Sequence, residues 1–150
     1  MVSATEFARL NCGAFFLVGL VTGVWKYRKM ATSADATAPA YVDICHRAAL
    51  MYAFACLVLA EFARTSAWSD AVNLVATSLP ILFFALAVLS YAVHGLLQDT
   101  DNQIRQPHKL GERAVHPRLV SQFIYVLSAA EIGGFLVLLA GHFAGANLAH

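Results

Sequence analysis

The sequence predicts an all-α protein: a single transmembrane domain of four helices that spans residues 1–150. Hydrophobic residues make up 59% of the chain and charged residues only 13%, whereas a soluble domain carries about 25% charged residues. Four apolar runs also reach the ~20 residues that a helix needs to cross a bilayer; they cover about residues 7–25, 39–63, 71–97 and 119–143. We therefore expect the lipid bilayer as a partner and no nucleic acid.

Each run can be assigned to a helix with local signals at its ends. No basic segment precedes the first run and basic residues follow it, which indicates a retained helix rather than a signal peptide. In the second run, Thr37 is a candidate N-cap and Pro39 suits a first turn, which places His46 about two turns inside the helix. Pro80 predicts a kink in the third helix. The polar residues 98–118 separate it from the fourth.

Basic residues predict the orientation of the chain. They are concentrated in the first and third connections, whereas the opposite side has only Arg9 and Arg64. The basic residues of the two connections are Lys26, Arg28, Lys29, Arg47, Arg105, Lys109, Arg113 and Arg118. The positive-inside rule then predicts that both connections lie in the cytoplasm and both termini outside it. We expect an integral membrane protein, in a bacterial inner membrane.

His46 is the first candidate functional residue, because ionisable groups are costly near the lipid core. Neutral imidazole is the commonest metal ligand, and haem iron is often held by histidine. The sequence has no CxxC or HExxH motif for zinc, whereas haem needs only one or two ligands and a slot. Small residues after His46 let a flat macrocycle, or another helix, approach closely. The alternative is an interfacial histidine that is solvated or bonded to Asp43.

The third helix presents a second group of candidates. Ala87, Tyr91, His94 and Gln98 have helical spacing, so they share one face. Tyr91 is a candidate catalytic acid, or else a tyrosine of the interfacial belt. His94 is a candidate second iron ligand or substrate contact, or else a structural histidine one turn from the loop.

Glu131 lies near the middle of the fourth apolar run. A carboxylate inside a membrane is costly, so it must face protein or water and have a partner. We consider it a candidate substrate contact. The alternative is a structural hydrogen bond, for which Ser128, Thr22 and Asn11 are candidate partners.

The stretch "CHRAALMY" at the start of helix 2, together with four spans in a small chain and a polar loop after helix 3, resembles the styrene oxide isomerases. The resemblance implies a homotrimer that binds haem b, with His46 as the axial ligand of a ferric iron acting as Lewis acid. It implies rearrangement of a small apolar epoxide to a carbonyl compound, with Tyr91 completing the catalytic site. The chain has Tyr52 and Phe83 where the family pattern has asparagine and aspartate, which makes Tyr52 a candidate substrate contact.

Other classes of function stay open on sequence grounds. His46 and His94 together would give a b-type cytochrome with six-coordinate iron, suited to electron transfer. The adjacent pair His46 and Arg47 also resembles the haem- and quinone-binding anchors of succinate dehydrogenase. The arginine and asparagine motifs of membrane glutathione transferases and prostaglandin synthases are not found. A non-catalytic membrane protein is the remaining alternative.

Overall fold

The computed structural model describes residues 2–148 and consists almost entirely of four helices. These are α1 (Ala4–Ala31), α2 (Ala40–Thr65), α3 (Asp70–Leu97) and α4 (Pro117–Leu148). Each helix is long and apolar enough to span a membrane. The predicted all-α four-helix transmembrane bundle is thereby confirmed. A small antiparallel hairpin of β1 (Lys109–Leu110) and β2 (Arg113–Ala114) lies in the connection between α3 and α4.

Most helices extend beyond the apolar runs that predicted them, because their ends are polar. At the start of α1, the Ser3 hydroxyl accepts a hydrogen bond from the backbone N–H of Glu6, whose carboxylate accepts one from the N–H of Ser3. This capping box satisfies two N–H groups that have no partner within the helix. At the other end, Arg28 and Lys29 occupy the last turn, where cations are favoured by the helix dipole.

The start of α2 differs from the prediction in one respect. Pro39 occupies the N-cap position without a side-chain cap, and α2 begins at Ala40. The N–H of Thr37 instead donates to the Asp35 carboxylate in the preceding turn, at 3.4 Å. The predicted Thr37 cap is therefore wrong. His46 follows Ala40 by six residues, so it lies about two turns inside the helix, as predicted.

Glycines set the closest approaches between helices. A Cβ atom at Gly19 of α1 would lie 2.4 Å from the Leu50 side chain of α2. One at Gly134 of α4 would lie 2.5 Å from the carbonyl oxygen of Ala76 and 2.7 Å from Pro80 in α3. The α3 helix is continuous through Pro80. Helix α2 contacts the other three helices and contributes many of the buried residues.

The end of the bundle near the α2–α3 turn is held by hydrogen bonds to α4. The indole N–H of Trp68 donates to the carbonyl of Val137 at 2.9 Å. The backbone N–H of Ala67 donates to the carbonyl of Gly141, also at 2.9 Å. These bonds attach the turn to α4, while the polar candidate residues at the start of α2 and the end of α3 gather at the opposite end.

Candidate functional site

At the end of α3, the polar connection folds back over the bundle and is anchored by Asp99. One carboxylate oxygen of Asp99 lies 2.8 Å from Nδ1 of His94, and the other accepts the N–H of Gly111 at 2.5 Å. The N–H of Gln103 donates to the hydroxyl of Tyr41 in α2, at 2.5 Å. The loop thereby covers His94 and Asp99, whose side chains are 7% and 5% exposed.

The protonation of Asp99 determines which nitrogen of His94 carries hydrogen. Burial acts to raise the pKa of the Asp99 carboxyl, but the hydrogen bonds from His94 and from the N–H of Gly111 outweigh it and hold the pKa below its usual range. Asp99 is therefore a carboxylate at neutral pH and can only accept hydrogen bonds. The Nδ1 of His94 must carry the proton that it donates, so in the neutral ring Nε2 is an acceptor.

His94 lines a cavity of about 370 Å³, which lies between the last turns of α3, the first turns of α4 and the loop that connects them. Its polar lining residues are Ser90, Tyr91, His94, Gln103, His108 and Lys109, and most of the others are apolar. His108 is buried and its Nδ1 bonds the carbonyl of Gln103 at 2.9 Å. His94 also borders a more polar cleft of about 520 Å³ on the side of the first connection. The histidine thus stands between an apolar cavity and a polar surface.

Aromatic rings connect His94 to the interior of the bundle. The ring of Tyr41 lies 5.0 Å from the ring of His94 and stacks at 5.9 Å on Tyr91, by centroid distances. Tyr52 stacks on Phe84 at 4.2 Å, and its hydroxyl group lies near that of Tyr91. The structure therefore brings the predicted site residues Tyr52, Tyr91 and His94 into one continuous group.

Glu131 lacks the predicted hydrogen bond at one of its oxygens. Its Oε1 is buried without a hydrogen-bond partner among residues 2–148. Asn11 and Thr22 bond backbone carbonyls of their own helix instead, at 2.8 and 2.7 Å. Such bonds within a helix compete with bonds between helices. Neither Asn11 nor Thr22 therefore supplies the missing bond to Oε1 of Glu131.

His46 occupies a different place, between α1 and α2. Its Nδ1 lies 2.8 Å from the carbonyl oxygen of Gly19, and a Cβ atom at Gly23 would lie 2.9 Å from its ring. Since a carbonyl can only accept, Nδ1 carries the hydrogen and the lone pair of Nε2 stays free. Asp43, the alternative partner of His46, binds Lys26 and Arg47 at 2.5 and 2.9 Å.

The helix geometry separates His46 from the group around His94. Tyr41 contacts His94, whereas His46 faces α1; five positions on a helix are roughly 140° apart around its axis. His46 lines none of the main cavities found among residues 2–148. Ala49 and Ala53, two of the small residues after it, are buried in the core. Their small side chains let neighbouring helices approach closely.

The pairing of Asp99 with His94 was not predicted from the sequence. Asp99 follows the end of α3 at Gln98, which has a left-handed conformation with φ of 49°, and Gly111 has φ of 61° in the hairpin turn. Gly111 is the glycine of this connection, and a glycine indicates a turn with positive φ. It does not indicate which carboxylate will accept the N–H of that turn.

Within the described residues 2–148, no group of three or more histidine, cysteine, aspartate or glutamate side chains could hold a metal ion. No protein-family model, curated protein or solved structure matches the chain. The class of protein is therefore given by the fold: an integral-membrane bundle of four helices.

Proposed function

We propose that the protein holds haem b through Nε2 of His46 and acts as a membrane isomerase on small apolar epoxides. The observation that supports this is the hydrogen bond between Nδ1 of His46 and the carbonyl of Gly19 at 2.8 Å. Histidines that bind metal usually donate their other N–H to a carbonyl or carboxylate, which fixes the tautomer and the orientation of the ring. Gly19 supplies this second contact, and Nε2 makes no hydrogen bond among residues 2–148.

The surroundings of His46 fit one axial ligand. The side chain is half-buried, and Nε2 is not among the fully buried atoms without partners, so it is accessible at the edge of the α1–α2 interface. Gly23 leaves room for the ring. Bound ferric haem would supply a Lewis acid for the epoxide oxygen, a role that requires an open position on the metal.

The position of His94 favours one protein ligand over the pair of histidines in the cytochrome alternative. Its Nδ1 is bonded to Asp99 and its ring packs on Tyr41, on a different side of α2 from His46. An iron bound to His46 of the same chain would therefore not be expected to reach it. Without His94 of the same chain as a ligand, the iron would keep an open position for a substrate.

Tyr91, the proposed acid, lines the cavity between α3 and α4, which His46 does not line. Joint action of His46 and Tyr91 would therefore require a second copy of the chain, consistent with the homotrimer that the resemblance implies. Native mass spectrometry of the protein in mild detergent tests this: a monomer that turns over epoxide would overturn the proposed use of Tyr91.

The test of haem binding is an absorption spectrum of the purified, haem-supplemented protein, oxidised and reduced. We expect a Soret band that is lost in His46→Ala and retained in His94→Ala. A matched control is His142→Ala, because His142 is also in a helix and is bonded by Nδ1 to Thr65 at 2.7 Å. Absence of the band in the unaltered protein would reject haem binding, and its loss in both His46→Ala and His94→Ala would favour the cytochrome.

The reaction is tested separately with an aryl epoxide and detection of the aldehyde. We expect turnover by the haem-loaded protein and none by His46→Ala. In Tyr91→Phe, we expect slower turnover with an unchanged Soret band. A five-coordinate haem without aldehyde formation would reject the isomerase while leaving haem binding in place.

A further inference from the structure

We propose that the cavity between α3 and α4 is a binding site for a small apolar alcohol or phenol, whose hydroxyl group donates a hydrogen bond to Nε2 of His94. The cavity and its polar groups lie apart from His46, so this inference does not rest on haem binding. It assigns a role to the Asp99–His94 pair.

The size and lining of the cavity suit a small apolar ligand with one polar group. Its volume of about 370 Å³ is at the lower end of the range of about 300–1,000 Å³ that ligand sites occupy. The lining combines an apolar part with a few polar groups at one side, as ligand sites commonly do. Its apolar residues include Ile104, Val120, Phe123, Ile124 and Leu127. These would surround the apolar body of a ligand.

His94 offers a hydrogen-bond acceptor beside this cavity. The Asp99 carboxylate fixes the hydrogen on Nδ1, so Nε2 of the neutral ring presents a lone pair. That atom has no hydrogen-bond partner among residues 2–148, and it is not among their fully buried unpaired atoms. An accessible acceptor beside an apolar cavity selects a ligand with an O–H donor, because an apolar analogue would leave it unpaired.

The charged groups around the cavity agree with a neutral donor. Among residues 2–148, the carboxylate that bonds His94 is that of Asp99, which also accepts the N–H of Gly111. Tyr41 of α2 packs on the ring of His94, and the cavity lining also includes Tyr91 of α3, His108 and Lys109. Lys29 and Asp101 border the separate polar cleft. None of the described residues that line the cavity is acidic, which suits the electron-rich oxygen of an alcohol or phenol.

The experiment compares two probes, 4-propylphenol and propylbenzene, with the full chain in phosphatidylcholine nanodiscs. The readout is the ¹⁵N resonance of His94 Nε2 in histidine-labelled protein, which reports this site despite partition of both probes into lipid. We expect a saturable shift with the phenol and about tenfold weaker binding of propylbenzene, measured by its competition with the phenol. Equal affinities for 4-propylphenol and propylbenzene would mean that the cavity binds ligands through apolar contacts alone, which would overturn the proposal.

Two variants place the ligand in the cavity. Leu127→Trp adds a ring at the lining and should abolish the shift of His94 by the phenol. Leu119→Trp lies on the same helix but is 61% exposed and does not line the cavity, so it should leave the shift intact. If both variants retain the shift, the phenol reaches His94 from the polar cleft and the assignment to the cavity is wrong.

Asp99→Asn tests the proposed hydrogen bond by converting Nε2 of His94 from an acceptor into a donor. The amide oxygen of asparagine can still accept the N–H of Gly111, which leaves the NH₂ group to donate to Nδ1 of His94. The hydrogen of the ring then moves to Nε2, which becomes a donor. We expect 4-propylanisole, whose oxygen only accepts, to gain affinity in this variant relative to the phenol. An unchanged preference would contradict the proposed hydrogen bond. The ¹⁵N shifts of the two ring nitrogens check independently that the tautomer has changed.

Discussion

Adjacent glycines in α4 offer a direct test of how α3 and α4 pack. A Cβ atom at Gly134 would lie 2.5 Å from the carbonyl oxygen of Ala76 and 2.7 Å from the ring of Pro80, whereas one at Gly133 would meet nothing within 4 Å. The backbone oxygen of Ala76 cannot rotate out of the way as a side chain can. Gly134→Ala must therefore separate the two helices locally, while Gly133→Ala has open space.

The expected magnitude comes from the difference between these two variants. Replacing glycine by alanine inside a helix is favourable by roughly 1 kcal/mol, and this gain cancels because both positions are in α4. Overpacking a well-packed core costs about 1–3 kcal/mol, and only Gly134→Ala incurs it. We therefore expect the free energy of unfolding of Gly134→Ala to be about 1–3 kcal/mol below that of Gly133→Ala.

The assay is reversible unfolding in mixed lipid–detergent micelles by titration with sodium dodecyl sulfate, followed by far-UV circular dichroism. Gly133→Ala should unfold at the same or a higher denaturant fraction than the unaltered chain, and Gly134→Ala at a lower one. Equal midpoints for the two variants would refute the close contact of α4 with Ala76 and Pro80.

Three further predictions concern other contacts. In Gly23→Ala, the added methyl group must displace the ring of His46, so haem occupancy measured by the Soret band should fall, whereas Gly13→Ala, which has open space, should be without effect. Trp68→Phe removes the indole bond to α4 and should lower the free energy of unfolding by about 1 kcal/mol; an unchanged midpoint in the same titration would contradict it. The pKa of Asp99 is lowered on folding, so its stabilisation of the loop is complete above the unfolded value of about 3.9 and is lost as pH falls through the folded value. The amide resonance of the hairpin glycine bonded to Asp99 should move only in that acidic range, and a transition at neutral pH would contradict the assignment.

Hydropathy was sufficient to predict the fold class and the number of helices. Transfer of apolar side chains and of a fully hydrogen-bonded backbone into lipid is a local property of each segment, so runs of ~20 residues report it without knowledge of the partners. The spacing of Ala87, Tyr91 and His94 likewise predicted their common face, because helical periodicity is local. These three residues do line one cavity. Gln98, the fourth residue predicted for that face, is instead the left-handed C-cap of α3 and borders the polar cleft.

The partners of the polar residues depended on the tertiary structure. His46 bonds the carbonyl of Gly19, 27 positions away in the sequence, and this contact follows from the rotation of α1 against α2. The bond from Gly111 to Asp99 depends on the path of a polar loop for which hydropathy carries no information. Glu131 illustrates the same limit: the sequence required a partner for an intramembrane carboxylate, but the neighbours of Glu131 were set by packing. The sequence by itself determined which segments leave water, because each segment's transfer free energy is its own. Only the tertiary structure decided which polar groups meet, because that depends on how the helices rotate and pack against one another.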